Sequence, residues 1–117
     1  MGIGENIERL FHEPARLIVM TELCGAKGGL SFSQLKSSCN LTDGNLSRHL
    51  AALEKAQAVS IQKTFVGSKP RTTIAVTLRG RRDFLKYLDA LEDLLAAALR
   101  KARPERLRLL PTLKPVR

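Results

Sequence analysis

The chain has 117 residues, 44% of them apolar, enough for one domain and too few for two independent cores. Twenty Lys and Arg against eleven Asp and Glu give a net charge of +9, which invites an anionic partner, and 117 residues are too few for a large enzyme. Four Phe, one Tyr and no Trp argue against stacking platforms for single-stranded nucleic acid and against aromatic ligand pockets.

No apolar run approaches the roughly 18–20 residues of a membrane helix, and the N-terminus lacks a signal-peptide pattern. The expectation is a cytoplasmic protein with no membrane association. The charge is unevenly placed. Residues 1–42 balance, 43–82 carry eight basic side chains against Asp43 and Glu54, 83–99 are acidic, and the last eighteen carry seven basic against one acidic. That map suggests a division of labour along the chain.

Glu13-Pro14 reads as a helix start, because proline is pre-set for the first helical position. Leu17, Met20, Thr21 and Cys24 then form one expected buried stripe, with Ile18 beside it, and Gly25 ends the run. Lys27-Gly28-Gly29 is a turn. Ser31-Phe32-Ser33-Gln34 has capping-box spacing and opens a short helix to about Cys39, with Phe32 and Leu35 as its apolar contacts. Thr42 is placed to cap a third helix to about Ala56 or Gln57, whose Leu46, Leu50 and Leu53 bury one face. Gly44, Arg48, Ala51 and Lys55 point the other way, flanked by Asn45 and Ser47.

The period then changes to two. Val59, Ile61, Lys63 and Phe65 alternate with polar residues, as do Thr72, Ile74, Val76 and Leu78, around the segment Val66–Arg71. This reads as a β-hairpin with a six-residue basic tip. Thr77 can cap the next helix, from about Arg79 to Lys101 with Pro104 as its stop. Phe84, Leu88, Leu91, Leu95 and Ala98 recur at heptad spacing and form a seam that needs a partner to cover it. Leu85, Leu94 and Leu99 widen the stripe.

Helix, short helix, turn, helix, hairpin, long helix is the order of a winged helix-turn-helix: mainly α with a small β-hairpin, an α+β fold. In such a motif the second helix of the pair enters the major groove, and a basic hairpin reaches the neighbouring backbone or minor groove. The expected organisation is a DNA-binding domain over 1–80, a dimerisation helix over 81–103 and a basic flexible tail over 104–117. For the tail, a solvated extension, a phosphate-binding arm and a contact to a second subunit stay open.

The strings His12-Glu13-Pro14-Ala15-Arg16, Ser31–Leu35, Leu41–Leu50, Lys63-Thr64-Phe65, Pro70-Arg71-Thr72 and Leu78–Arg81 resemble a winged-helix family of small prokaryotic regulators related to the MarR and ArsR groups. The likeness covers roughly residues 7–95. It implies a homodimeric transcriptional regulator of double-stranded DNA, with recognition helix 43–56 and wing 66–71. Asn45, Ser47 and Arg48 then face base edges, and Gly44 lets the backbone come close. Thr42, Lys55, Lys69 and Arg71 touch phosphate. Phe84, Leu88, Leu91, Leu95 and Ala98 form the dimer interface. Where the family ends its recognition helix on Gly this chain has Gln57, so either Gln57 turns left-handed at some cost or the helix ends differently.

No nucleophile–base set, carboxylate pair or phosphate loop points to an enzyme. Cys24 and Cys39 with His12 and His49 match no metal spacing, so no metal and no cofactor is expected, with a metal or thiol sensor as the lesser alternative. Cys24 reads as core, and His49 as hydrogen-bonded beside the buried stripe. A small-molecule effector is left unspecified. The rival class is a winged helix that binds protein or RNA without operator specificity. The small, polar and basic outer face of 43–56 favours DNA over it.

Overall fold

In the computed structural model, which describes residues 9–103, helix α1 (Pro14–Cys24) begins on Pro14 as its first residue and ends on Gly25. Val19, Met20 and Leu23 are its buried residues, with Leu17 and Cys24 only partly covered. Thr21, expected on the buried stripe, is exposed and donates to its own helix at the Leu17 carbonyl, 2.7 Å away. The run Leu17-Ile18-Val19-Met20 is apolar on every side, so its periodicity does not fix which face turns inward.

Strand β1 (Leu30–Ser31) follows and leads straight into α2 (Phe32–Cys39). The capping box is present: Gln34 N donates to Ser31 Oγ at 3.1 Å, and Ser31 N donates to Gln34 Oε1 at 2.9 Å. Asn40 ends α2 in the left-handed region, φ 54°. Helix α3 (Asp43–Lys55) is capped by Thr42, whose hydroxyl accepts from Asn45 N at 3.2 Å, and buries Leu46, His49, Leu50 and Leu53.

Strands β2 (Val59–Val66) and β3 (Lys69–Val76) make the hairpin, and the sheet runs β1-β3-β2, all antiparallel. The expected six-residue tip is corrected to two residues, Gly67 and Ser68, with Gly67 at φ 67°. Lys69, Pro70 and Arg71 are strand residues, because their backbones find partners in Val66, Phe65 and Thr64. β1 was not anticipated. Two residues carry no alternation, and the strand exists only because Leu30 and Ser31 pair with Ile74 and Thr73.

Helix α4 (Leu78–Ala102) is capped by Thr77 and rises about 37 Å at the usual pitch. Its first half lies on its own domain. Phe84 and Tyr87 are buried, and Phe84 meets Phe11 edge-on with ring centroids 5.2 Å apart. Arg81 also donates to the Cys24 carbonyl at 3.3 Å, using an acceptor at the end of α1. The heptad seam is therefore not one surface. Phe84 belongs to the core, Leu88 and Leu91 pack against that core, and Leu95 and Ala98 are exposed. The exposed large apolar residues of α4 are Leu78, Leu85, Leu95 and Leu99.

The end of α3 resolves the Gln57 question. Gln57 does turn left-handed, φ 62°, and three contacts compensate for its missing glycine. Its amide donates to the Glu54 carbonyl at 2.9 Å, its carbonyl accepts from Thr77 Oγ1 at 2.7 Å, and its side-chain oxygen accepts from Arg79 at 2.7 Å. Gly80 packs so closely on Ala58 that a methyl there would overlap the Ala58 carbonyl. The tail 104–117 lies outside the described residues; within them, no helix is long and apolar enough to cross a membrane.

Gln57→Ala keeps the left-handed conformation and loses the Arg79 bond, whereas Gln57→Gly relieves the conformation. Urea unfolding is expected to find the Gly variant about 1 kcal/mol more stable than the Ala variant.

Candidate nucleic-acid interface

Burial of Leu46, Leu50 and Leu53 turns the opposite side of α3 outward, and Gly44, Asn45, Ser47, Arg48 and Lys55 are all exposed there. A Cβ at Gly44 would meet nothing within 4 Å, so the fold itself does not require glycine at this position. The missing side chain is available to a close-approaching partner. Thr42 is exposed, yet its hydroxyl is engaged as the α3 cap. Asp43 pairs with Lys36 at 2.7 Å and fastens the start of α3 to α2.

Arg48 stands beside a polar cluster that joins α3 to the start of α1. His49 is 2% exposed. Arg16 Nε donates to His49 Nδ1 at 3.1 Å, so this ring nitrogen carries the lone pair and the proton sits on Nε2. Nε2 faces Glu13 Oε1 at 3.3 Å and donates to it. Arg48 also approaches Nε2, at 3.3 Å, but a protonated nitrogen cannot accept from a guanidinium. The Arg48 guanidinium and the Glu13 carboxylate thus both reach Nε2, each at 3.3 Å. Arg16 further donates to the Leu10 carbonyl at 3.3 Å and pairs with Glu13 at 3.7 Å.

Burial lowers the His49 pKa from its ordinary 6.5; the Glu13 carboxylate opposes that shift, and the Arg48 and Arg16 cations add to it. The imidazole is kept neutral as a fixed strut. Sequence reasoning anticipated a hydrogen-bonded His49 but not its partners, since Glu13 and Arg16 read there only as a helix start. Burial also pushes the Cys24 and Cys39 thiols up, against the sense a reactive thiolate needs. Among the described residues, no group of three or more His, Cys, Asp or Glu is placed to hold a metal ion.

The wing projects beyond this core. Lys69 and Arg71 share one face of the hairpin with Val66 and Thr64, their cross-strand partners, and both are exposed. They line an open cleft of about 480 Å³ against Ser31, Phe32 and Ser33 at the start of α2. The wing cations thus share one cleft with the start of α2, on the same scaffold that exposes the outer face of α3.

A family model described as a winged helix DNA-binding domain matches residues 15–95. The chain belongs to that family. The winged-helix match runs from α1 through most of α4 and includes every residue discussed on α3 and the wing. The protein is 34% identical over 80 residues to an uncharacterised protein of Methanocaldococcus jannaschii, covering 68% of this chain and 86% of that one. A transcriptional regulator homologue of Pyrococcus horikoshii OT3 superposes with a TM-score of 0.71 at 28% identity, over 77% of this chain and 88% of that one. MarR shares the fold at a TM-score of 0.71 and 18% identity, over 95% of this chain and 80% of its own. This chain is a winged-helix DNA-binding domain.

The stability contributed by neutral His49 is complete above pH 6.5 and is lost as pH falls through the lowered folded value. Thermal melts between pH 7.5 and 5 are expected to show a loss of stability on acidification that is smaller in His49→Gln. Equal pH slopes in the two proteins would mean that folding leaves the proton affinity of the imidazole unchanged.

Proposed function

We propose that this protein is a transcriptional regulator and binds a specific double-stranded DNA sequence as a homodimer, with α3 in the major groove and the hairpin on the flanking backbone or minor groove. The outer face of α3 carries the reading: it is exposed and offers Asn45, Ser47 and Arg48, without a large apolar side chain, on a helix anchored from behind. Arg48 and Asn45 have the donors and acceptors to read guanine and adenine edges, at about 1–3 kcal/mol of discrimination for each bidentate contact. Lys55, Lys69 and Arg71 neutralise phosphates and set register. Thr42 contributes through the cap that fixes the start of α3, and Gly44 admits the sugar-phosphate backbone.

Residues 1–80 form the DNA-binding part and residues 81–103 the pairing helix. Leu95 and Ala98 of the expected seam remain open for that pairing, joined by Leu85 and Leu99. Leu85, Leu88, Leu95 and Leu99 follow a heptad phase one position away from the buried stripe. Two-fold pairing makes two copies of α3 available to half-sites about 34 Å apart, or a multiple of that spacing.

Fluorescence anisotropy on a selected duplex and on random-sequence duplex, across a salt series, tests the assignment. Arg48→Ala is expected to cost about 1–3 kcal/mol on the selected duplex and little on the random one. Lys69→Ala is expected to weaken both and to reduce the salt slope by about 1. Equal losses on every sequence would overturn the division of roles. An absence of binding at low salt would show that the basic face meets protein or RNA. In sedimentation, Leu95→Glu is expected to convert a dimer to a monomer; a monomeric parent chain would overturn the pairing.

A further inference from the structure

The wing carries exposed apolar residues just behind its Gly67-Ser68 turn. Beyond the Ile61–Ile74 pair, every residue from Gln62 to Arg71 is exposed, so the hairpin leaves the core before its tip. At that tip Phe65 is 71% exposed and Val66 58% exposed, and Phe65 lies opposite Pro70. An exposed Phe forgoes the burial that ordinarily stabilises a large aromatic side chain. Among the described residues, none covers it.

The surroundings of Phe65 select its partner. Lys63 lies on the Phe65 face of the hairpin, whereas Lys69 and Arg71 lie on the other. No acidic residue occurs between Glu54 and Asp83. Cations on both faces with an exposed apolar side chain between them match a groove that has a phosphate strand on each side and stacked bases at its floor. The minor groove, about 6 Å wide, has that form and admits side chains rather than a whole element. Proteins that bend DNA from this groove use Phe, Pro and other apolar side chains as wedges between base steps.

We infer that Phe65, backed by Pro70 and flanked by Lys63, Lys69 and Arg71, is a wedge that opens a base step in the minor groove and bends the DNA. The inference rests on the DNA-binding reading and adds a source of sequence preference that α3 does not supply. Flexible pyrimidine–purine steps, TA above all, open most readily and are the steps such a wedge selects.

The test uses the full chain and AT-rich duplexes with 2-aminopurine at single TpA steps and a dye pair at the ends. Binding is expected to raise 2-aminopurine emission at one step and to shorten the end-to-end distance. Phe65→Ser is expected to abolish both signals and to weaken binding about tenfold, whereas Phe65→Leu retains most of both. Phe65 is exposed, so unchanged melting temperatures should accompany these losses. A Phe65→Ser protein that still unstacks and bends the duplex would overturn the wedge, as would parent-chain binding without either signal. If the parent chain fails to bind duplex at low salt, the DNA-binding reading falls together with the wedge. An apolar tip that instead captures a protein would be the conclusion from that result.

Discussion

A single carbonyl, that of Ala58, organises the molecule. It accepts the Thr77 amide at 3.0 Å, the Thr77 hydroxyl that donates to the neighbouring Gln57 carbonyl lies 3.2 Å from it, and Gly80 rests directly on it. Helix α3 has just ended there, β2 is about to begin, and α4 starts on the other side. Their mutual orientation is therefore set by short backbone contacts rather than by long side chains. Such contacts transmit displacement with little slack, because a close-packed interior cannot deform continuously. The left-handed Gln57 is tolerated for the same reason: Thr77 and Arg79 hold the turn that its own preference would refuse.

Local chemistry was legible in the sequence and non-local pairing was not. Ser31-to-Gln34 spacing, the Thr42 and Thr77 caps and the Leu46, Leu50, Leu53 stripe are each decided within one or two turns of chain. The structure places them as the pattern implies. β1 depends on β3, more than forty residues away, and no pattern within Leu30-Ser31 announces it. The seam of α4 shows the converse problem. Its heptad spacing is real, but spacing alone does not say which part is covered by the chain's own domain. Phe84 is consumed by Phe11 and Tyr87, so the pattern mixes core positions with exposed ones.

At the candidate site the outward residues of α3 were legible because they follow from the buried ones by subtraction. What stands behind them was hidden. Glu13 and Arg16 approach His49 only when α1 crosses α3, and their charges in sequence look like ordinary helix-start residues. The resulting cluster is a half-buried polar network around a buried imidazole, with the Arg16 donor on one side and the Glu13 carboxylate on the other. Such a network fixes orientation more than it adds stability, which suits a helix whose outer face has to meet another molecule in register.

The short β1 has a consequence for the protein when it is alone. Because β1 covers β3 only at Thr73 and Ile74, and no strand among the described residues follows β2 in the sheet, most of the wing has an open edge on both sides there. An exposed hairpin with Phe65 and Val66 near its end is a template for strand-to-strand aggregation. Pro70 offers no N–H to an incoming strand, and Lys63, Lys69 and Arg71 repel a second wing of like charge. The cations suited to a phosphate backbone thus also oppose the approach of a second wing. High salt, which screens them, removes the attraction and the protection together.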